Sequence, residues 1–171
     1  SNVFSNNDVV FVTDDEGNYY IPGNNVNTIE NMQNKNGYQV LLAGQNNQTL
    51  IAEGYPLDFT ETPITLEPFT LNNMPYLPSE VTTAEDFAHN LPIVFCSDDE
   101  GHYFIPSAGV NTIDASGGMK PGKGYQVLIS GTESIEFVYG EPNGAGLGRS
   151  MTVVGASDNY DITRTGVSHP I

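Results

Sequence analysis

The sequence predicts an all-β protein, mostly antiparallel, with one or two short helices and two tandem homologous modules. Three observations predict it. The chain repeats itself: residues 10–29, VFVTDDEGNYYIPGNNVNTI, align with 94–113, VFCSDDEGHYFIPSAGVNTI, at an offset of 84, and 13 of the 20 aligned pairs are identical. A second block, GYQVLLAG at 37–44, aligns with GYQVLISG at 124–131 at an offset of 87, with 6 of 8 pairs identical. A repeat of this length sets the unit of architecture. Each copy is also made of short apolar, β-branched and aromatic runs. These runs are bounded by Gly, Pro, Asn and Asp, the residues that punctuate strands.

Within one copy, Val9-Val10-Phe11-Val12-Thr13 is a short β-branched run and is expected to be a well-buried strand. Asp14-Asp15-Glu16-Gly17 follows, then Tyr19-Tyr20-Ile21-Pro22. Glycine accepts positive φ and aspartate bonds its own backbone, so the segment reads as a tight hairpin, ended by a proline that cannot donate to a ladder. Val26 and Ile29, three residues apart, suit one helical turn or an arch that plugs the core. Gly37 opens a strand in which Tyr38, Val40 and Leu42 share a face at period two. Thr49-Leu50-Ile51-Ala52 returns after a Gly-Asn-rich turn. The second copy repeats the order at Ile93–Ser97, Tyr103–Ile105, Tyr125–Ile129 and Ile135–Tyr139. Between the copies, Ile64–Leu71 reads as a strand with Pro68 at an edge or bulge. Thr82–His89 reads as a short helix, with Thr82 and Glu85 at capping-box spacing.

The predicted organisation is a first module at 1–62 that lacks an opening strand, a complete second module at 63–140, and a C-terminal tail at 141–171. Shifting residues 1–8 by 84 matches them only to the end of the helix. Met151-Thr152-Val153 aligns with Ile64-Thr65-Leu66 at an offset of 87, so the tail carries a strand of the kind the first module lacks. Two solutions follow: the tail closes on its own first module, or it enters the first module of a neighbouring molecule. The assembly strand is expected in Met151, Thr152, Val153, Val154, Tyr160 and Ile162. The acceptor is expected in Val9, Val10, Phe11, Val12, Tyr38, Val40 and Leu42.

The formal net charge is −16, from 21 acidic and 5 basic residues. Nucleic acid and anionic membranes are disfavoured as partners, because both require a basic face. No apolar run approaches the roughly 20 residues that span a bilayer, so no membrane insertion is expected. The single cysteine, Cys96, forms no internal disulfide and aligns with Val12, a small core position. The chain opens on Ser and shows no signal segment, which is the expected look of a piece processed from a longer precursor.

The pattern D-x-x-G-x-Y-x-x-P, then V-N-T-I, then G-x-G-Y-Q-V resembles tandem β-modules of large secreted and cell-surface bacterial proteins. In this chain it is carried by Asp14, Gly17, Tyr19, Pro22, Val26–Ile29 and Gly37–Val40, and again by Asp98, Gly101, Tyr103, Pro106, Val110–Ile113 and Gly122–Val127. The first copy departs from it, with Asn34-Lys35-Asn36 in place of Pro121-Gly122-Lys123. The resemblance implies extracellular display, adhesion or filament building rather than a defined chemistry.

The twin acidic loops place Asp14, Asp15, Glu16, Asp98, Asp99 and Glu100 as candidate metal ligands for Ca2+, which takes several oxygens at once. Their spacing is not that of a calcium loop, so a hairpin turn is the stronger reading and no cofactor is expected. Tyr19, Tyr20, Tyr38, Tyr103, Phe104 and Tyr125 are read as core or cross-strand residues ahead of a sugar-stacking platform. His89, His102 and His169 are scattered, without a partner at ligand spacing. Asn47 heads the one glycosylation sequon, and Asn27 and Asn111 are expected to bond local backbone and pin the plug. No catalytic residues are identified and no enzyme is expected. The leading expectation is a structural subunit of an extracellular filament, a homopolymer built head to tail by strand complementation. The alternative is a cell-surface adhesin or carbohydrate-binding module, with glycans as partners.

Overall fold

The computed structural model describes residues 3–4, 8–43, 49–54, 57–89, 91–140, 158–163 and 168–170, the strands at 49–54, 158–163 and 168–170 through their backbone. The N-terminal part holds β1 (Val9–Thr13), β2 (Tyr19–Ile21), a 3-10 turn at Pro22–Asn24, β3 (Val26–Asn27), β4 (Gly37–Leu42) and β5 (Thr49–Gly54). The middle holds β6 (Ile64–Leu66), β7 (Leu71–Pro75), helix α1 (Ala84–Ala88), β8 (Ile93–Ser97), β9 (Tyr103–Ile105) and a 3-10 turn at Pro106–Ala108. It continues with β10 (Val110–Asn111), helix α2 (Thr112–Ala115), β11 (Gly124–Ile129) and β12 (Ile135–Phe137). The tail contributes β13 (Asp158–Thr163) and β14 (Ser168–Pro170). The fold is mostly antiparallel β with two short helices, as the sequence predicts.

Two five-stranded sheets carry the same strand order. One runs β14-β4-β1-β2-β3, the other β7-β11-β8-β9-β10. Two short ladders, β13-β5 and β12-β6, accompany them. The hairpins form where the chain turns cheaply. Gly17 and Gly101 take φ of 84° and 88°, and Asp14 and Asp98 close the turns by accepting the Asn18 and His102 backbone N–H groups, each at 2.8 Å. Asn27 and Asn111 do bond local backbone: Asn27 Oδ1 accepts the Glu30 N–H and Asn111 Oδ1 the Asp114 N–H. Thr28 and Thr112 bridge to the Tyr19 and Tyr103 backbone in the same way. Tyr38 and Tyr125 each accept a backbone N–H five residues back, from Gln33 and Lys120, at 2.9 and 2.8 Å.

The core of the described residues lies on the inner face of the second sheet. Leu66, Ile113, Met119, Val127, Ile129 and Tyr139 are fully buried there with Cys96. Four aromatic rings lock it. Tyr139 meets Phe137 edge to face at 4.8 Å and Tyr76 at 5.6 Å, and Phe87 meets Phe137 at 5.5 Å. Edge-to-face pairs set the positive ring edge against the negative face, and add about 1 kcal/mol each beyond area burial. The Tyr139 hydroxyl, buried with its ring, donates to the Pro75 carbonyl at 2.7 Å.

Three sequence expectations are revised. The run Val9–Thr13 is not buried throughout: Val12 is fully buried but Val10 is 44% exposed, because the β1–β4 register shifts between Val9 and Phe11 and leaves Val10 as the extra residue of a bulge. Residues 64–71 are not one strand. Pro68 offers no N–H and Phe69 takes φ of 55°, so the chain leaves the β6 ladder and enters another sheet as β7. Asn72 holds this crossover: its side chain donates to the Glu67, Thr70 and Val127 carbonyls and accepts the Glu67 N–H. Helix α1 is capped by Thr83, whose hydroxyl accepts the Asp86 N–H at 2.9 Å; Thr82 instead pairs with Met119.

The plug positions differ between the copies. In the second, Asp114 Oδ1 accepts the Ala84 N–H at 2.6 Å, tying α2 to the start of α1 and seating Ile113 fully in the core. The first copy has Glu30 at the aligned place with φ of 60°, and Ile29 is only half-buried. Ile113→Ala should therefore lower stability by about 2–5 kcal/mol. Ile29→Ala should lose less than half as much, both read from urea unfolding midpoints.

Candidate functional site

The first sheet is completed by strands from the far end of the chain. β14 pairs with β4, Ser168 opposite Gln39, His169 opposite Tyr38 and Pro170 opposite Gly37. β13 pairs with β5, from Asp158 opposite Gly54 to Thr163 opposite Thr49. The second sheet has the same arrangement from nearer residues. There β7 pairs with β11, Asn73 opposite Gln126, Met74 opposite Tyr125 and Pro75 opposite Gly124, while β6 pairs with β12. The strand pair β13–β14 thus stands on β5 and β4 as β6–β7 stands on β12 and β11. In this single chain the tail closes on its own first sheet.

Among the residues singled out from the sequence, Tyr38, Val40 and Leu42 lie on β4, the strand that receives β14. Val9, Val10, Phe11 and Val12 lie on β1, an interior strand paired with β4 and β2, so they back the acceptor rather than touch the incoming ladder. Tyr160 and Ile162 lie on β13, opposite Ala52 and Leu50. Met151, Thr152, Val153 and Val154, and the sequon at Asn47, lie outside the described residues. Periodicity pointed to β4, but β5 as the second receiving strand was not foreseen.

The two sheets meet at a close backbone approach. The Gln39 side chain on β4 donates to Asn73 Oδ1 on β7 at 3.0 Å, and Asp15 Oδ2 accepts the Asn73 backbone N–H at 3.0 Å. Gly37 makes this possible, since a Cβ there would overlap the Asn73 carbonyl.

The acidic turns use their carboxylates differently. In the first, Asp14 grips Asn18 through both backbone and side chain, while Asp15 reaches the second sheet. In the second, His102 Nδ1 lies 2.7 Å from Asp98 Oδ2, and Lys123 Nζ lies 3.0 Å from Glu100 Oε2, 3.5 Å from Asp99 Oδ1 and 3.8 Å from Asp98 Oδ2. His102 therefore does have carboxylate partners, against the expectation for the three histidines: Asp98, Glu100 and His102 bring their side chains together on one side of the loop. That spacing was the signal available in the sequence. Asn36 stands at the aligned place of Lys123, so the first turn lacks this ammonium.

Asp98, Glu100 and His102 bring ligand atoms within 4.8 Å of one another, the donor set that would hold a metal here. Lys123 already sits within ion-pair distance of the carboxylates, so its charge opposes a second cation at this point. Of the aromatic candidates, Tyr38, Tyr125 and Phe104 are buried, while Tyr19 and Tyr103 are each 39% exposed, Tyr19 stacked on Phe11. The Cys96 thiol is fully buried, and burial pushes its ionisation upward. No described helix is long and apolar enough to cross a membrane. Comparison with protein-family models, curated proteins and solved structures finds no match for this chain.

Burial pushes the Asp98 carboxyl upward, but the His102 ring, the His102 and Glu100 backbone N–H groups and the Lys123 ammonium outweigh it and hold the group below its ordinary 3.8. A carboxylate depressed in the folded state stabilises the fold above its ordinary value, and that contribution fades as pH falls through the folded one. The stability gap between the natural protein and Asp98→Asn should thus be full near neutrality and shrink below pH 3.8. Asp15 has the opposite sign: loss of water pushes it up against the Asn73 N–H, so its contribution is full below 3.8 and lost as pH rises. At the sheet junction, Gly37→Ala should destabilise by about 1–3 kcal/mol through forced separation of β4 and β7. Denaturant titration of each variant checks these expectations.

Proposed function

We propose that this protein is a structural subunit of an extracellular assembly, joined head to tail by exchange of its C-terminal strand pair. The observation that carries the reading is the shared register: β14 takes on β4 the place that β7 takes on β11, although it comes from residues 168–170. A ladder is blind to which copy supplies the strand. If β13–β14 of one molecule enters β5 and β4 of the next, every backbone bond of the closed form is remade, and because each molecule then offers one strand pair and one open edge the contact propagates. The linking segment 141–157 contains Gly144, Gly146, Gly148 and Gly155, a composition that permits reach. The strong negative charge favours dispersion of free subunits, and the resemblance to surface β-modules supports an extracellular setting. The reading assigns the protein no chemistry on a substrate: its work is the ladder.

The test uses two full-length variants, Gln39→Cys and Ser168→Cys, which face each other across the β4–β14 ladder. Buried Cys96 supplies no competing thiol. Mixed at high concentration under mild oxidant, the pair should give a disulfide-linked dimer containing one copy of each. Absence of that mixed dimer, with a chain carrying both substitutions closing only within itself, would overturn the proposal.

A further inference from the structure

Asp15 lies in the turn after β1, and the N–H it accepts belongs to Asn73 on β7, the edge strand of the other sheet. The bond therefore uses an N–H that points away from the β7–β11 ladder. Several placements give this bond a counterpart. Asp99 aligns with Asp15 at the repeat offset of 84, in the turn after β8. β14 is likewise the edge strand of its sheet. Ser168 stands opposite Gln39 as Asn73 stands opposite Gln126, so its N–H has the same parity and points off the ladder. The junction has two-fold character, since β4 lies against β7 and β14 lies against β11. The Asp99 side chain is only 6% exposed, turned into the protein rather than to water.

We infer that Asp99 is the docking residue for the C-terminal strand, accepting the Ser168 backbone N–H as Asp15 accepts that of Asn73. The inference rests on the reading of β14 as the complementing strand, and it names what receives that strand besides the ladder. A carboxylate that binds a main-chain N–H makes a charge-assisted bond indifferent to the incoming side chain. That indifference is why serine serves at the place where β7 has asparagine. It also sets polarity, because the carboxylate bonds only a strand whose off-ladder N–H falls at this register. Lys123, 3.5 Å from Asp99 Oδ1, orients the carboxylate in the second turn, a role for which the first turn has only Asn36. Gly124 aligns with Gly37, the residue whose missing Cβ makes room for Asn73 at the other approach.

Hydrogen exchange on the full chain tests this. Asp99→Ala should speed exchange of the Ser168 amide by about tenfold while β8 and β11 stay as slow as in the natural protein. Asp99→Asn, which keeps an acceptor oxygen, should restore most of the protection. Asp15→Ala should instead speed the Asn73 amide and leave 168–170 unchanged. Unaltered exchange at Ser168 in Asp99→Ala would overturn the inference. If Asp99→Ala loosens the whole second sheet, Asp99→Asn decides: β8 and β11 should stay as slow as in the natural protein while the Ser168 amide proton resonance moves, because a neutral amide oxygen replaces the carboxylate that it bonds. A Ser168 resonance that Asp99→Asn leaves unmoved also overturns it. Asp99-dependent protection without the mixed disulfide would remove exchange between molecules and leave the docking residue. The mixed disulfide without such protection would do the reverse.

Discussion

Strand edges carry backbone N–H and C=O groups that must find partners, and the outer edges of β4 and β11 meet this requirement with a strand from outside their own hairpins. β11 receives β7, which precedes it in the chain, and β4 receives β14, which lies more than a hundred residues beyond it. Much of the rest follows from making those two additions fit. Asn72 supports the crossover that delivers β7, Gly37 clears the space where β4 and β7 cross, and Asp15 takes the N–H that β7 turns outward. Long-range pairing of this kind is entropically slow to form. Among the described ladders, β4–β14 spans the largest separation in sequence.

The two sheets share an order but not their supports. In the second, Asp114 bonds the start of α1, Ile113 seats fully, and Lys123 sets one positive charge among the carboxylates of the acidic turn. In the first, Glu30, Ile29 and Asn36 occupy those places, and the turn spends its acidic residue on the neighbouring sheet instead. The asymmetry is small in sequence and large in consequence. One sheet carries a dense aromatic core built from neighbouring segments, and the other depends on the tail for its edge.

The candidate site was legible in part. Period-two patterning placed Tyr38, Val40 and Leu42 on the receiving strand, and the repeat placed Asp99 beside Asp15 in alignment. The acidic loops read correctly as turns. What escaped was the His102 contact with Asp98, which the spacing permits but only the loop's curvature makes. The break at Pro68–Phe69 escaped as well, because an apolar run with a single proline does not say which sheet each half joins.

By itself the sequence determined the repeat, the turn chemistry at Gly17 and Gly101, the antiparallel β class, and a net charge of −16. These are local properties, written in residues that act within a few positions of themselves. Only the tertiary structure decided that β5 receives a strand beside β4, that β7 and β14 are equivalent edges, and that Asp15 bonds a strand of the other sheet. Those facts depend on which distant backbones come within 3 Å of each other, and strand pairing leaves no trace in the order of the residues that it joins.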